Sequence, residues 1–400
     1  MTEKTPAATD EGALKPKARV IAFYLPQFHP IPENDAWWGA GFTEWTNVAK
    51  AKPLFPGHYQ PHVPADLGFY DLRVPETRAA QAALARNAGI QGFCYYHYWF
   101  AGKRLLERPF NEVLKSGEPD FPFCLCWANE TWSGVWHGAP HRILIEQTYP
   151  GAEDHERHFY DLLPAFHNKR YIRVHNRPLF AIYAPQRLPA AAVFIERWQN
   201  LAKKNGLPGI HFVAHLLKVF PDYNPQQAGF DAVTICNPAR IITKSKFQIG
   251  MARLRNGTLD EGDGDFFTKM AAAGYAFRKK CSNRIRIWRD QPSYVFQYED
   301  AMLFFTEDSP PQKITYPCAI SNWDNSPRSG RRALILNGSR PELFRRHLRT
   351  VLHRAETLPA ENRIVFVKSW NEWAEGNYLE PDLKFGHQFL GVVREEILAC

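Results

Sequence analysis

A single (β/α)8 barrel is the fold class this sequence predicts, and three observations predict it. Eight short apolar runs rich in β-branched and aromatic residues recur along the chain, and most are followed by a helix-period segment, which is the rhythm of a parallel sheet. At 400 residues the chain is long for one core, but barrels reach this length through loop insertions. The unusual polar and aromatic residues fall directly after the apolar runs, where a barrel carries its chemistry.

The runs are Val20 to Leu25, Ile90 to Tyr96, Phe121 to Trp127, Pro178 to Tyr183, Ile210 to His215, Asp231 to Cys236, Tyr316 to Ile320 and Arg363 to Ser369. Ahead of the second run, Pro75 to Ala88 has proline in its first turn and Gly89 as a stop, so it reads as a helix. Pro341 to Glu356 is the clearest amphipathic helix, and Gly386 to Cys400 reads as the helix that closes the barrel. Residues 1–18 read as a flexible tail and 19–400 as one catalytic domain. The stretch from Asn237 to Thr315 is too long for one crossover, so an insertion with extra helices is expected at about 240–290, between strands six and seven. It carries a basic cluster, Arg278, Lys279, Lys280, Arg284, Arg286 and Arg289, which could dock an acidic glycan or a membrane face or simply be a solvated helix face.

Hydrophobic residues at 45% and charged residues at 22% describe a globular protein rather than a disordered one. The 12 Trp, 16 Tyr and 28 Phe exceed what such a core needs, and they cluster with Asn, Gln, His and Glu at strand ends. A net charge of +8 is compatible with an acidic partner, but no nucleic-acid motif accompanies it. The seven Cys show no CxxC spacing, and Cys94, Cys124, Cys126 and Cys236 lie in apolar segments, so free thiols are expected rather than disulfides or zinc. Met1 to Arg19 lacks an apolar core, so no secretory signal is expected, and no stretch is long enough to span a bilayer. The location expected from this is cytoplasmic.

The chemistry is concentrated after the eighth run, in Trp370-Asn371-Glu372-Trp373-Ala374-Glu375-Gly376. If the turn is helical, Glu372 and Glu375 share one face with Cβ atoms roughly 5 to 6 Å apart, a spacing that suits a retaining glycosidase pair. Two such carboxyls do not both ionise cheaply, so one is expected to stay protonated as the acid. Trp370 and Trp373 offer flat faces for a sugar, with Asn371 and Glu380 beside them. The alternative is that both acids merely favour the start of a following helix.

Other strand ends supply candidate sugar contacts. These are Tyr24 and His29 after the first run, then Trp37, Trp38, Glu44, Trp45, His58 and His62 in its long loop. Tyr96, His97 and Trp99 follow the second run, Trp127, Asn129 and Glu130 the third, and Trp323, Asp324 and Arg328 the seventh. For His29 and His97 a hydrogen-bonded core position is an equal alternative, for Glu130 a salt bridge, and for Asp324 and Arg328 a mutual pair. His58 and His62 have i, i+4 spacing, but Pro61 and Pro64 forbid the helix that would make them a metal clip, so no metal is expected. No nucleophilic Ser or Cys arrangement, GxGxxG or Walker loop is present, and the acidic run 260–265 reads as a surface loop. No cofactor is expected.

Four segments then carry a resemblance: FYLPQFHPIPENDAWWGAGFTEWTNVAKAKPLFPGHYQPHVPADLGFYDLR, GFCYYHYWFAGKRLLERP, FPFCLCWANETW and WNEWAEGNYLEPD. Through them the chain resembles the WbsX-like proteins, described as glycosyltransferases of surface-polysaccharide gene clusters, from Arg19 to the C-terminus. That family is in turn similar to glycoside hydrolase family 99, the endo-α-mannosidases, which are (β/α)8 barrels. The resemblance implies that Glu372 acts as base toward the sugar 2-hydroxyl, through a 1,2-anhydro sugar, and that Glu375 is the acid/base. The chain departs from the mannosidase pattern at Ala374, where His is expected, and from the commoner WbsX pattern after Asn129 through His137. The expected function is cleavage or transfer of a glycosidic bond in a surface polysaccharide by a retaining two-glutamate path. Glycosyl transfer in O-antigen or capsule synthesis and a non-catalytic glycan-binding barrel are the alternatives. The expected partner is an oligo- or polysaccharide, lipid-linked in one version, with peripheral contact to the inner membrane face.

Overall fold

The computed structural model describes residues 16–134, 139–255, 292, 294–306 and 314–398. Nine parallel strands form the central sheet: β1 (Arg19–Tyr24), β2 (Gly92–Phe100), β3 (Phe123–Trp127), β4 (Arg177–Ile182), β5 (His211–Leu216), β6 (Ala232–Ile235), β7 (Thr315–Tyr316), β8 (Cys318–Ile320) and β9 (Ile364–Lys368). They are hydrogen-bonded in the order β7-β6-β5-β4-β3-β2-β1-β9-β8. The two ends of that order, β7 and β8, are separated by one residue, Pro317, so together they form one stave and the sheet closes into an eight-staved barrel. The seventh run, expected to be continuous, is thus two pieces. Proline has no N–H to give a ladder, and the chain changes partner there: Thr315 pairs with Val233 on one side, while Cys318 pairs with Phe366 on the other. The Pro317 carbonyl still accepts from the Phe366 N–H at 3.0 Å.

The staves are apolar almost throughout because a parallel barrel is covered on both faces, by its own interior and by the helices outside. β1, β2, β3 and β5 are buried along nearly their whole length. Inside, Phe23 stacks on Phe366 at 5.2 Å and Tyr96 at 5.6 Å, with His215 edge-on at 4.9 Å. Outside, the helices Ala152–His167 and Ala191–Lys204 bring Phe159, Phe166, Phe194 and Trp198 against Phe180 and Phe212 of β4 and β5. Cys94, Cys124, Cys126, Cys236 and Cys318 are free and buried, as small apolar residues.

The helix Pro75–Asn87 starts at its proline, and Pro341–Glu356 has the boundaries its apolar period predicts. The closing helix is Gln388–Leu398, shorter than expected, and residues 399–400 lie outside the described residues. The insertion opens with a 3-10 turn, Pro238–Thr243, and the helix Lys246–Arg255. The basic cluster Arg278 to Arg289, the acidic run 260–265, His137 and the first fifteen residues all lie outside the described residues. No helix among the described residues is long and apolar enough to cross a membrane.

Trp198 is fully buried against six rings of the outer layer and lies away from the barrel mouth. Trp198→Ala is expected to destabilise the fold by about 3–5 kcal/mol, read as a lower urea midpoint, while the binding of glycan per folded molecule is unchanged.

Candidate active site

β9 delivers the acidic motif to the barrel mouth. Beyond Lys368 the Trp370 N–H bonds the Phe23 carbonyl at 2.7 Å, and Asn371–Glu372 pairs antiparallel with Asn377–Tyr378. The reversal between them is a 3-10 turn, Trp373–Glu375, ended by Gly376 at φ +67°. Glu372 is the strand residue just before this turn and Glu375 its last residue, so the pair is not on a helix as expected, yet both side chains line the same cleft. Gly376 is needed twice over: its φ is left-handed, and a Cβ there would sit 2.9 Å from both the backbone nitrogen and the Cβ of Asp324. The Asp324 N–H donates to the Glu375 carbonyl at 2.7 Å, so the turn is clamped onto the loop after β8.

Glu372 and Glu375 line one cleft holding about 1050 Å3 of unfilled space open to solvent. Trp38, Glu44, Tyr96, Glu130 and Arg328 line it too, so β2 and the loops after four other staves meet there. Each catalytic candidate has its own cation. Glu372 Oε2 accepts from Lys368 Nζ at 2.9 Å and from Ser369 Oγ at 2.8 Å, and the same ammonium donates to the Tyr96 hydroxyl at 2.7 Å. Glu375 Oε1 accepts from Arg328 Nη1 at 2.5 Å, while Asn377 Nδ2 stands 3.4 Å from Oε2. Arg328 also reaches Glu44 Oε2 through Nε and Nη2, each at 3.0 Å. Burial, reinforced by the charge of Glu372, raises the Glu375 pKa above the ordinary carboxylate value against the opposing pull of Arg328 and Lys368. Lys368 is held firmly charged: burial opposes this, but Glu372, Tyr96, Tyr183 and Glu375 together outweigh it. Glu130 is one-third exposed, pairs with Arg187 at 3.1 Å, and has its pKa raised by burial.

Several expected sugar contacts are placed in the framework instead. Side chains alternate along a strand, so Tyr96 and Tyr98 of β2 point into the cleft while His97 and Trp99 point at the helix Ala152–His167. There His97 bonds His158 at 2.8 Å and Trp99 Nε1 donates to Asp154 at 3.1 Å. Trp127 packs beside them, 4.8 Å from the His158 ring. Trp370 and Trp373 are fully buried and have no face left for a sugar. Trp373 Nε1 donates to Glu380 at 2.6 Å, Gln81 and Tyr70 donate to the same carboxyl, and Tyr24 reaches it through Gln81. Asn371 grips both backbone groups of Leu25, and Asn129 grips both of Ala184. Trp45 donates to the Tyr70 carbonyl, Trp37 packs edge-on to Trp132, and His29 is buried with its pKa lowered to about 4 by burial. Trp323 lies 5.9 Å from Lys368 Nζ, beside the cleft.

Asp324 and Arg328 do not pair with each other but take different partners. Asp324 accepts from His58 and Gln60 at 2.7 Å, and with His62 it lines a second, smaller hollow behind the Gly376 turn. Burial alone would raise the Asp324 pKa, but the hydrogen bond and charge of His58, with His62, leave it lowered. His62 bonds Tyr378 at 2.5 Å. Among the described residues no group of three or more His, Cys, Asp or Glu is placed to hold a metal.

Sequence reasoning missed Lys368, Tyr98, Tyr183 and Trp132, all of which line the cleft. The signal for Lys368 was present: a lysine at the end of an otherwise apolar strand is placed at the mouth, four residues before a glutamate.

The sequence profile described as Glycosyltransferase WbsX matches residues 20–393. The chain belongs to the WbsX glycosyltransferase family. Two proteins named WxcX, from Xanthomonas campestris pv. campestris strains B100 and ATCC 33913, are each 40% identical over 383 residues. These matches cover 95% of the chain but 50% of each relative, so this WbsX-family chain spans about half of their length. Among solved structures, a glycoside hydrolase-like protein has a TM-score of 0.52 at 14% identity, covering 98% of this chain and 97% of the other. A GH99 endo-alpha-mannosidase from Bacteroides thetaiotaomicron, in complex with BIS-TRIS-propane, has a TM-score of 0.53 at 12% identity, covering 95% and 96%. At such identity the likeness speaks to the barrel fold.

Two tests follow from the clamp and from Glu380. Gly376→Ala is expected to destabilise by more than about 1 kcal/mol, because the substitution adds a clash to an unfavourable φ, measured by thermal or urea unfolding. Burial raises the Glu380 pKa from 4.5 to about 7 against the donors from Trp373, Gln81 and Tyr70. The folded state therefore holds this proton more tightly than the unfolded chain, and its contribution to stability is lost as pH rises from 4.5 to about 7. The difference in Tm between the parent and Glu380→Gln should change across that window and be level on either side of it.

Proposed function

We propose that this chain breaks or transfers a glycosidic bond of an oligo- or polysaccharide by a retaining path, with Glu375 as acid/base and Glu372 as base or nucleophile. The observation that carries this reading is the unequal pair: two buried carboxyls in one cleft, one held by a buried ammonium and the other biased toward its protonated form. Both donors to Glu372 fall on Oε2, leaving Oε1 to act on the sugar. Glu375 is anchored through Oε1, and Oε2, with only a loose Asn377 contact, is the oxygen to carry the proton to the leaving group. Tyr96, Tyr98, Trp38 and Trp132 supply aromatic surface around the pair for sugar rings.

Charge favours hydrolysis or transglycosylation over transfer from a nucleotide sugar. Among the described residues lining the cleft, the two cations are each committed to glutamates, so neither is spare for a diphosphate. The family description favours the second reading, glycosyl transfer in polysaccharide assembly, in which the same pair would act on an activated or lipid-linked sugar.

The test is turnover of a panel of bacterial surface oligosaccharides, with and without nucleotide sugars, followed by mass spectrometry. Glu375→Gln is expected to lose at least about a hundredfold on natural glycans yet keep the first step on substrates with good leaving groups, read as a burst of leaving group, because the same residue must act as base in the second step. Glu372→Gln should lose as much on both. A folded Glu372→Gln variant with near-parental turnover would sink the two-glutamate mechanism.

A further inference from the structure

Arg328 poses a problem for the acid role of Glu375. A guanidinium 2.5 Å from a carboxyl oxygen favours the ionised carboxylate, whereas a general acid must keep its proton. The groups facing Glu375 come from five segments, one of them the loop after β4, which brings the Tyr183 hydroxyl. Glu372 lies on its own loop, Lys368 ends β9, Arg328 enters from the loop after β8, and Glu44 comes from the helix Glu44–Lys50 in the loop after β1. Asn377 completes the set as a neutral donor. Of these, Glu44 alone grips Arg328 from its far side, taking Nε and Nη2 while Nη1 remains on Glu375.

An acid in the first turn of a helix is usually explained by the helix end and faces water. Glu44 is 4% exposed and lines the catalytic cleft. Its carboxylate adds a second negative charge to the guanidinium, and the three side chains form one chain of contacts, Glu44 to Arg328 to Glu375.

We propose that Glu44 is a positioning residue that neutralises Arg328 on one side, so that Arg328 fixes the Glu375 carboxyl in place without stripping its proton. The proposal rests on the reading of Glu375 as the acid. In this arrangement Oε1 of the protonated carboxyl accepts from Arg328 Nη1, and the proton sits on Oε2, toward the space where a leaving oxygen would arrive. Losing Glu44 would leave the cation acting on Glu375 unopposed, and losing Arg328 would remove that pull.

The experiment follows Glu375 directly and needs no substrate. Enzyme labelled with 13C at the glutamate side-chain carboxyls is titrated by NMR, and the Glu375 signal is assigned by its loss in Glu375→Gln. In Glu44→Gln the Glu375 midpoint should fall by about one pH unit. In Arg328→Gln it should rise, and the double variant should return toward the parent, showing the two effects to be coupled. Where a glycan substrate is in hand, the alkaline limb of kcat/KM should move in the same directions. A Glu44→Gln enzyme that is folded, slower and unshifted would reduce Glu44 to a structural role and overturn the proposal. Should Glu44→Gln not fold, Glu44→Asp decides, because it keeps the charge but draws it back from Arg328: a downward shift of the Glu375 midpoint supports the coupling and an unchanged midpoint overturns it. If the midpoints move as stated while the parent processes no glycan, the coupling stands and the proposed function falls.

Discussion

Two glutamates buried at the end of a barrel strand are the constraint on which the rest of this mouth depends. A carboxylate removed from water needs an opposite charge or good donors, and leaving it without them costs several kcal/mol. Lys368 and Ser369 meet that need for Glu372, and Arg328 meets it for Glu375. Those cations must then be held, which draws in Tyr96 from β2, Glu44 from the first loop and the clamped loop after β8. The positions of three loops and of β2 are therefore linked through charge and hydrogen bonds rather than through apolar contact alone.

Most of the barrel was legible because a stave buried on both faces must be apolar and a surface helix must show its 3.6 period. The acidic pair was legible for the same reason, since it interrupts an apolar run where a strand should end. The residues around it were harder to place. His97 and Trp99 were read into the site although the strict alternation of β2 sends them to the helix layer and leaves Tyr96 and Tyr98 to the cleft. Trp370, Trp373, Asn371 and Glu380 lie in the right segment, yet they build the loop rather than line the cleft. Whether a polar residue touches a ligand or supports one that does depends on tertiary packing that spacing does not encode.

The family description names a transfer reaction, and in the proposed reading the charges among the described residues of the cleft bear on which kind of transfer fits. A donor bearing a diphosphate needs cations free to receive it, whereas here Arg328 and Lys368 already hold glutamates. A neutral glycan needs instead hydrogen bonds, aromatic surface and a pair of carboxyls, and the lining holds polar groups, aromatic rings and both glutamates. Hydrolysis and transglycosylation then differ in whether water or a sugar hydroxyl arrives second, a choice made by what occupies the rest of the cleft.

The split at Pro317 gives the barrel a seam. Every other stave is tied by a ladder running along one strand, but here two residues bond one neighbour and three bond the other, with proline between them. A closed barrel has no free edge, yet this one has a line along which few backbone bonds need part. The long connection from β6 leads into that line, and the loop carrying Arg328 leaves it immediately after. Any change in how β7 and β8 sit against each other would therefore bear directly on the loop that holds Arg328 against Glu375.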